Sequence, residues 1–405
     1  MVDSIIYLGK FIPPRLLSTA LADSGGTLGL SNHNFEMSLI HGFCRQGVDV
    51  KFISVPGVSS FPRFNRRAVI RKEEYLIDGH GARSVGYFNL MVVNRFCRIA
   101  SCARVLYRAI SQQKGKTSVV VNTPSSDLLA AIDLASKMLR RHIDTTLIVP
   151  DIPSLVTGMD KKGRVAGILL NGLDDYAMSL ARRSDRLVLL TEQMMDFFPD
   201  NNRHIVMEGV VDVESMDSPA KDSAGSPRYF LYTGTLRKIF GVMDLVDAFE
   251  RASLPAHTEL WICGSGEAAD EIKARSARNG RIRFLGLVGS GEALRLQKNA
   301  FALVNPRTSE GEFTKYSFPS KTMEYLLSGN PVIAHNLAGI PAEYKDYILF
   351  PRDESVDALA EKLTEVAEMP AADRAEIGRR GRDFVISQKN SVAQVRRIID
   401  FINQG

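Results

Sequence analysis

The sequence predicts an α/β protein with two Rossmann-like domains, and three observations support this fold class. Short apolar runs alternate with helical patterns along the chain, which is typical of parallel strands joined by helices. The 405 residues are too many for one ordinary hydrophobic core. The stretch DSPAKDSAGSPR, at 217–228, is rich in Pro, Gly, Ser and charge, and it separates two such alternating series.

The first series predicts an N-terminal domain over 1–216. Its apolar runs are SIIYLG, VDVKFISVP, SVVVNTP and TTLIVPD, each short enough to be a buried strand. Between them, helical spacing of apolar residues predicts helices near 31–46, 89–112 and 125–140.

The second series follows a linker at 217–227 and predicts a domain over 228–384. Its strands are RYFLYTG, HTELWICGSG, RIRFLGLV, FALVNP and NPVIAH. Helices are predicted near 241–252, 267–278, 290–298, 319–327 and 355–384. The remaining residues, 385–405, have apolar positions at helical spacing, so we expect a C-terminal helix that packs back toward the N-terminal domain.

The net charge, the cysteine spacing and the lengths of the apolar runs limit which binding partners and which cellular compartment are expected. A net charge of +5 fits an anionic substrate or membrane surface better than it indicates nucleic acid. The four cysteines form no C-x-x-C pair, which argues against a disulfide framework or a structural metal. The N-terminus MVDSIIYLGK has too short an apolar run for a signal peptide, and no run of 18 apolar residues occurs. We therefore expect a cytoplasmic protein.

Ligands of open parallel sheets bind beyond the carboxyl ends of the strands, so the loops there are the candidate sites. The first such loop holds Gly25 and Gly26 before a helix start, which would let an anion approach the backbone. His33 lies near that helix start and could contact a substrate. A flexible loop and a solvated histidine explain the same residues equally well.

Two further loops follow strands of the second series. In YTGTLRKIFG, Gly234 ends a strand, and Arg237 and Lys238 offer two cations to a diphosphate; ordinary exposed basic residues are the alternative. In CGSGE, Gly264 and Gly266 lack the third glycine of the dinucleotide fingerprint, so a tight turn suffices to explain them.

The fourth loop leads into KYSFPSKTMEYLLSGNPVIA, at 315–334. Ser320 and Lys321 fall in the first turn of a predicted helix, where backbone N–H groups are unpaired, and Glu324 lies one turn further on. A positive charge is unfavourable at a helix N-terminus unless an anion binds there. The pattern therefore predicts a phosphate near Lys321, with Glu324 accepting hydrogen bonds from sugar hydroxyls.

These segments together resemble a known family. The turns YTGTLRKIFG and CGSGE, the segment RIRFLGLVGSGEALRLQKNAFALVNP and the segment SFPSKTMEYLLSGNPVIA are similar, in order and spacing, to the donor domain of retaining glycosyltransferases. The resemblance is to the group 1, family 4-like enzymes of bacterial polysaccharide synthesis, which have the GT-B architecture of two Rossmann-like domains facing a cleft. It covers roughly residues 228–345 and extends more loosely through LARRSDRLVLLTEQMMDFF and HIVMEGVVD.

The resemblance implies an activity and roles for particular residues. Such enzymes move a sugar from a nucleotide-diphosphate donor to a saccharide or lipid-linked acceptor, usually without a metal, so we expect no cofactor. By position, Glu324 would bind the donor ribose, and Ser320 and Lys321 the diphosphate. The base would contact the backbone of Leu287 and Val288. Gly25 and Gly26 would face the donor phosphates and the acceptor. Gly234 and Gly264 in the strand-end turns are further candidate donor contacts, and His33 and Asp151 are candidates on the acceptor side.

The sequence departs from the family pattern at three places. The glutamate that the family commonly has eight residues before Glu324 is Tyr316 here, and Glu310 or Glu312 from the preceding loop could substitute. The usual arginine and lysine of the first basic turn fall at Thr235 and Phe240.

We expect other cations to replace the missing arginine and lysine, and the Asp151 carboxylate to replace the family's histidine–aspartate pair. The replacements are Arg237, Lys238 and Lys321, with Lys321, Arg237 and Glu312 as the predicted catalytic residues. Asp151, after the strand LIVPD, occupies the place where the family often has a histidine–aspartate pair.

A membrane surface is a further candidate partner. The helical segment 89–110 has apolar residues Val92, Phe96, Ile99 and Leu106 on one face, flanked by four arginines: Arg95, Arg98, Arg104 and Arg108. With the basic stretch PRFNRRAVIRK, it could present a lipid-linked acceptor at an anionic membrane. The alternative is a core-packed helix with solvated arginines.

Two other functions fit the same pattern. A nucleotide-sugar epimerase or hydrolase would use the scaffold without an acceptor. A non-catalytic nucleotide-sugar-binding partner of an assembly complex would account for Tyr316 in place of the expected carboxylate.

Overall fold

The structure, a computed structural model, describes residues 2–23, 30–58, 60–61, 65–91, 93–152, 175–211, 213 and 228–404. It divides into two compact units. One comprises Met1–Asp212 together with Ser391–Gly405, and the other comprises Val213–Asn390. The predicted linker at 217–227 and the loop holding Gly25 and Gly26 lie outside the described residues.

An eight-stranded sheet forms the centre of the first unit, in the order β10-β9-β8-β7-β1-β2-β5-β4. All neighbours pair in parallel except β4 and β5. The chain order reverses beside β1, which makes the gap between β1 and β7 the topological switch point. The strands of the first unit are β1 (Ser4–Gly9), β2 (Asp49–Ser54), β3 (Val69–Ile70), β4 (Glu73–Ile77), β5 (His80–Ser84), β6 (Tyr87–Phe88), β7 (Thr117–Asn122), β8 (Thr145–Val149), β9 (Arg186–Leu189) and β10 (His204–Val206).

Helices cover the sheet of the first unit, which explains why its central strands read as continuous apolar runs: every residue of β1 is buried. The helices are α1 (Pro14–Asp23), α2 (Leu30–Cys44), α3 (Asn94–Ser111), α4 (Ser126–Leu139) and α5 (175–181). The predicted strands and helices of this half are found with shifts of a few residues. The sequence reading missed α1 and the excursion β3–β6, in which β3 and β6 pair as a short antiparallel ribbon.

The predicted apolar face of α3 is divided in the structure. Leu106 is fully buried, whereas the Phe96 side chain is 70% exposed, and Val92 lies outside the described residues. Arg98 was predicted to flank a membrane-facing surface, and this is wrong. Its guanidinium points inward, donates to the carbonyl oxygen of Val58 at 2.9 Å and lies 3.7 Å from the buried carboxylate of Asp127.

The second unit has a five-stranded, fully parallel sheet in the order β13-β12-β11-β14-β15. This is the order of a dinucleotide-binding Rossmann sheet, so its switch point lies between β11 and β14. Buried residues from all five strands and the flanking helices make one core, which includes Phe230, Ile262 and Val304. The strands are β11 (Arg228–Thr233), β12 (Thr258–Cys263), β13 (Ile282–Gly286), β14 (Ala302–Asn305) and β15 (Val332–Ala334).

The helices of the second unit match the predicted ones except near its end. The single helix predicted at 355–384 is two helices, because Pro370 cannot continue the first and holds Met369 in an extended conformation. The helices are α6 (Val242–Arg251), α7 (Ala269–Arg278), α8 (Ser290–Asn299), α9 (Lys321–Leu327), α10 (Val356–Glu368) and α11 (Ala371–Gln388).

The last helix, α12 (Ser391–Asn403), belongs to the first unit. Its residues Val395, Ile398 and Ile402 are buried in the cluster that contains α2 and the central strands. Residues 385–390, which the sequence reading assigned to this C-terminal helix, instead complete α11 and the turn after it. Among the described residues, no helix is long and apolar enough to cross a membrane.

Candidate functional site

The carboxyl edge of the second sheet brings together most of the predicted donor-binding residues. Gly234 follows β11, Gly264 follows β12, and Leu287 follows β13. On the other side of the switch point, the chain after β14 leads through a short 3-10 helix at Glu312–Tyr316 into α9. Residues far apart in the sequence therefore line one edge, where open α/β sheets bind their ligands.

Two glycines after β12 allow the turns after β11 and β12 to lie against each other. A Cβ on Gly264 would stand 1.8 Å from the carbonyl oxygen of Gly234, and one on Gly266 would stand 2.5 Å from that of Leu236. Both glycines also have positive φ, of 145° and 154°. Their first role is thus to pack two turns closely, as the tight-turn alternative proposed.

Lys321 and Glu324 form an ion pair at the start of α9. The Lys321 Nζ lies 2.8 Å from both carboxylate oxygens of Glu324, and the side chains are 40% and 24% exposed. Because an ammonium has three N–H donors, one remains for a ligand. The predicted unfavourable charge at this helix mouth is therefore balanced by the protein's own carboxylate.

A buried hydrogen-bond network fixes this pair to the end of β11. The Gln297 Nε2 donates to Glu324 at 2.5 Å and to the Thr233 hydroxyl at 2.9 Å. The Tyr325 hydroxyl accepts from the Thr233 N–H at 2.8 Å and donates to the Thr233 carbonyl oxygen at 3.0 Å. Ser320 stays exposed, and its hydroxyl makes no capping bond to the helix.

The two cations predicted in the turn after β11 are placed differently. The Lys238 side chain is exposed and lies 2.7 Å from the Glu271 carboxylate, so its charge is already neutralised. Arg237 is half-buried, with its guanidinium 5.6 Å from the centre of the Phe240 ring. Of the two, Arg237 is the better placed to meet an anion.

The sequence reading missed Arg307, which follows β14 on the other side of the switch point. Its guanidinium lies between the rings of Phe240 and Phe313, 5.5 Å and 5.0 Å from their centres, and donates to the Ser317 hydroxyl at 2.6 Å. Burial lowers the pKa of Arg307 to about 10, which still leaves it charged at neutral pH. The structure therefore has a partly desolvated cation stacked on the very ring that replaces the family's lysine.

Four other predicted residues differ in burial. Tyr316 is buried, whereas Glu312 is exposed at the start of its 3-10 helix. Leu287 is 79% exposed at the end of β13, and Val288 beside it is half-buried. An apolar side chain this exposed at the ligand edge of a sheet suits contact with a flat base.

The predicted acceptor-side residues lie at the carboxyl edge of the first sheet. His33 is half-buried in α2, and its Nδ1 accepts the Ile12 N–H at 3.4 Å. Burial lowers its pKa, so this imidazole is a neutral group at physiological pH. Asp151 follows β8 and is exposed.

Glu36, on α2, is a buried acid that the sequence reading did not single out. Both its carboxylate oxygens accept the Lys10 N–H, at 2.9 and 3.2 Å. Burial raises its pKa to about 7, although hydrogen bonds from Asn122 and Lys10 and the Lys10 charge oppose this. A Cβ on Gly9 would stand 1.6 Å from its Oε1, so the glycine that ends β1 provides the space for this carboxyl group.

We expect Glu36 to make the stability of the protein depend on pH. In the folded state the Glu36 carboxyl group keeps its proton up to about pH 7. In the unfolded chain it releases the proton near its ordinary pKa of 4.5. The free energy of unfolding should therefore fall as the pH rises through this window, by about 3 kcal/mol at most. Urea denaturation of the wild type and of Glu36→Gln at both ends of the window measures it.

The groups near Glu36 are Lys10 and Tyr7 from β1 and its end, Asn122 from β7 and Tyr75 from β4. All of them remain in the Glu36→Gln variant, so the comparison isolates the carboxyl group. An equally steep pH dependence in both proteins would contradict the assignment.

The comparisons with known proteins agree with this geometry. Residues 227–369 match the model of the family described as Glycosyl transferases group 1. A 113-residue stretch is 28% identical to the D-rhamnosyltransferase WbpZ of Pseudomonas aeruginosa and spans 27% of this chain. That stretch spans only 28% of the relative's own length.

Solved structures share the fold over nearly the whole chain. Sucrose-phosphate synthase from Thermosynechococcus elongatus has a TM-score of 0.64 at 13% identity, covering 99% of this chain and 98% of its own. The lipopolysaccharide outer core galactosyltransferase WaaB has 0.61 at 16%, covering 99% of both chains. Anabaena HepE in complex with UDP has 0.61 at 13%, covering 99% of this chain and all of its own.

The predicted two-domain fold is thereby confirmed, and the predicted family is supported over residues 227–369. The structural neighbours share the GT-B arrangement of two Rossmann-like domains, and the family match falls on the unit whose switch point holds Lys321 and Arg307. By sequence, residues 227–369 of this chain match the group 1 glycosyl transferases, and by fold the chain is similar over nearly its whole length to the solved structures named above.

Proposed function

We propose that the protein transfers a sugar, with retention of its anomeric configuration, from a nucleotide-diphosphate donor to a saccharide or lipid-linked acceptor. The observation that carries this proposal is the pair of cations, Lys321 and Arg307, held on two sides of the switch point between β11 and β14. The names of WbpZ, WaaB and HepE, the last in complex with UDP, support a nucleotide sugar and a role in cell-surface polysaccharide or glycolipid synthesis.

The proposed donor lies along the carboxyl edge of the second sheet. The base contacts the backbone at Leu287 and Val288, and Glu324 accepts the ribose hydroxyls. The diphosphate then meets Lys321, Ser320 and Arg307. Neighbouring parallel strands are about 4.8 Å apart, so an extended nucleotide sugar can follow the strand ends across the switch point.

The chemistry follows from the charges that appear as the donor breaks. Cleavage of the bond between the sugar and the phosphate leaves negative charge on the diphosphate and positive charge on the sugar ring. Lys321, Arg307 and Arg237 stabilise the negative charge of the departing diphosphate. In enzymes that use such electrostatic stabilisation, removal of one buried donor lowers turnover about 100- to 1000-fold. The departing phosphate oxygen takes the proton of the acceptor hydroxyl, which attacks from the same face, so no nucleophilic carboxylate is needed.

In this proposal the protein's own cations supply the positive charge that a metal would provide elsewhere. We therefore expect that EDTA leaves turnover unchanged. The hydroxyl of Tyr316 or the exposed carboxylate of Glu312 takes the place of the family's glutamate near the transferred sugar.

A panel of UDP-, GDP- and other nucleotide sugars tests the function. A thermal-shift screen of the nucleoside diphosphates first identifies the base, because binding to the folded state raises the melting temperature. Acceptor-dependent release of nucleotide from one donor supports the transferase. Release without an acceptor supports the hydrolase, a new nucleotide sugar supports the epimerase, and binding without release supports the non-catalytic partner.

We expect Lys321→Ala to reduce this release by about 10- to 100-fold with the melting temperature unchanged. The effect is smaller than for a fully buried donor, because Lys321 is partly exposed and already paired with Glu324. Lys298→Ala, on the neighbouring helix α8, is the matched control, since that lysine lies outside the proposed donor contacts. Near-normal turnover of Lys321→Ala would remove Lys321 from the catalytic residues.

We also propose that the first unit contacts the cytoplasmic face of an anionic membrane. Phe88 on β6 and Phe96 on α3 are 59% and 70% exposed, and Val69 lies opposite Phe88 in the β3–β6 ribbon. The exposed apolar residues between them are Leu90, Met91 and Val93. The sequence carries no Asp or Glu over 50–72 or over 79–126, and four exposed cations adjoin β3: Arg66, Arg67, Arg71 and Lys72.

Co-sedimentation with phosphatidylglycerol vesicles at low salt tests this contact. We expect the wild type to bind and to be released by salt, because apolar insertion is combined with attraction to anionic lipid. Phe88→Ser with Phe96→Ser should abolish binding, whereas Leu76→Ser, an equally exposed apolar residue on β4, should not. A wild type that stays in the supernatant would refute the proposal.

A further inference from the structure

A second polar pocket lies in the first unit, at the switch point between β1 and β7. It has a volume of about 310 Å³, within the range of small-molecule sites. Its lining includes Lys10 after β1, Glu36 from α2, Arg95 from α3, and Asn122 and Thr123 at the end of β7. None of these residues was predicted from the sequence as a binding residue of this kind.

Two buried polar side chains lie in the wall of this pocket, and one of them has an oxygen without a hydrogen-bond partner among the described residues. Glu36 is 3% exposed and accepts hydrogen bonds from the Lys10 N–H, at 2.9 and 3.2 Å, and from the side chains of Asn122 and Tyr7. Asn122 is 5% exposed, and its side-chain oxygen has no hydrogen-bond partner among the described residues. A buried polar atom without a partner destabilises the protein, and a ligand hydroxyl would supply the missing partner.

The backbone beside Asn122 is strained. Thr123 has a φ of 80°, although a β-branched residue strongly disfavours positive φ. Its carbonyl oxygen accepts the Ser125 N–H at 2.8 Å, which closes a tight three-residue turn centred on Pro124, directly after the strained residue. Strain of this kind is concentrated at functional sites, where it sets the direction of neighbouring groups.

The pocket has one positive charge, on Arg95, that is not paired with a carboxylate in the described part of the chain. The buried carboxylate of Asp127 is paired with Lys10 at 3.1 Å and Arg98 at 3.7 Å. Burial alone would raise the pKa of Asp127, but these cations and the Ser125 hydroxyl hold it well below its usual value. Arg95 is half-buried and has no hydrogen bond or ion pair with any residue in the described part of the chain.

We infer that this pocket binds a sugar ring carrying an anionic group, with a ring hydroxyl donating to the side-chain oxygen of Asn122 and the anionic group facing Arg95. A buried acceptor oxygen without a partner favours a ligand with an O–H donor, and a cation without a partner favours a negative substituent. The identification of this sugar with the acceptor rests on the proposed function; the binding itself does not.

Direct binding tests the inference without sugar transfer. Saturation-transfer NMR and calorimetry are performed with three probes: methyl glucoside, glucuronate and glucose 6-phosphate. We expect the anionic probes to bind the wild type at least about tenfold more tightly than the neutral one, since a charge-assisted hydrogen bond is stronger than a neutral one. Glucuronate and glucose 6-phosphate distinguish a carboxylate from a phosphate as the anionic group.

Three variants locate the binding. Asn122→Leu should abolish the binding of all three probes, and Arg95→Gln should remove the preference for the anionic ones. Arg104→Gln, an exposed arginine on the same helix, should bind like the wild type. Each variant should bind nucleoside diphosphate in the second unit unchanged, which shows that it is folded and keeps this test separate from that of the donor site.

The failing outcomes are distinct. If no probe binds the wild type, or if Asn122→Leu binds as the wild type does, the pocket is not a sugar site. If methyl glucoside binds as tightly as the two anionic probes, the anionic part of the inference is wrong. If the wild type does not bind nucleoside diphosphate but does bind the sugar probes, the proposed function is refuted and this inference stands.

Discussion

Arg307→Met is expected to lower turnover with the identified donor by at least about 100-fold. The variant keeps a side chain of similar length between the rings of Phe240 and Phe313 but removes the charge beside the proposed diphosphate. Arg307 is partly desolvated, as its lowered pKa of about 10 indicates, so its charge acts on the departing phosphate with little screening. Release of nucleotide under saturating donor and acceptor measures the effect.

Two controls accompany this variant. Arg307→Lys keeps the charge but lacks the planar fork that stacks between aromatic rings, so we expect partial activity. Arg352→Met removes an exposed arginine whose partners are Asp353 and Glu361, and it should be fully active. If Arg307→Met turns over within about threefold of the wild type, Arg307 is a packing residue, and the cations at the site are Lys321 and Arg237.

Gly264→Ala is expected to destabilise the second unit by about 3 kcal/mol or more. The new methyl group would stand 1.8 Å from the carbonyl oxygen of Gly234, and the backbone at this position has a φ of 145°. A close backbone contact and an unfavourable φ each cost on the order of 1–3 kcal/mol, and neither can be relieved by a rotamer change. Urea denaturation of the purified protein measures the loss.

Gly291→Ala is the matched control for this substitution. Gly291 lies in α8, its φ is not positive, and a Cβ there meets no atom within 4 Å. Alanine is a better helix former than glycine, so this variant should be as stable as the wild type or up to about 1 kcal/mol more stable. Equal stability of the two variants would mean that the turns after β11 and β12 separate freely.

The donor side of the site was predictable because its signals are local in the sequence. Each turn follows its own apolar strand, and the first turn of α9 carries Ser320, Lys321 and Glu324 within five residues. Parallel strands have their carboxyl ends at one edge of the sheet, so the turns that follow them are expected to lie close together. The placement of the short loops follows from that rule alone.

Arg307 and Glu36 were missed because their environments come from separate segments. The Arg307 guanidinium is held at the site by the ring of Phe240, which lies 67 positions earlier in the chain. Glu36 reads as an ordinary helical glutamate until β1 and β7 enclose it, with Gly9 leaving the necessary space. Burial that depends on several distant elements has no periodic signal in one sequence, and the roles of Gly25 and Gly26 remain predictions.

The ion pair between Lys321 and Glu324 has a consequence for how tightly a ligand binds. A free lysine loses up to about 2 kcal/mol of side-chain entropy when it is fixed, and an enzyme with a mobile lysine loses that amount each time it takes up its substrate. Here Glu324, itself anchored through Gln297 to the end of β11, already restricts the ammonium before any ligand arrives. The ordering cost is therefore met once, during folding, and is not repeated in every catalytic cycle.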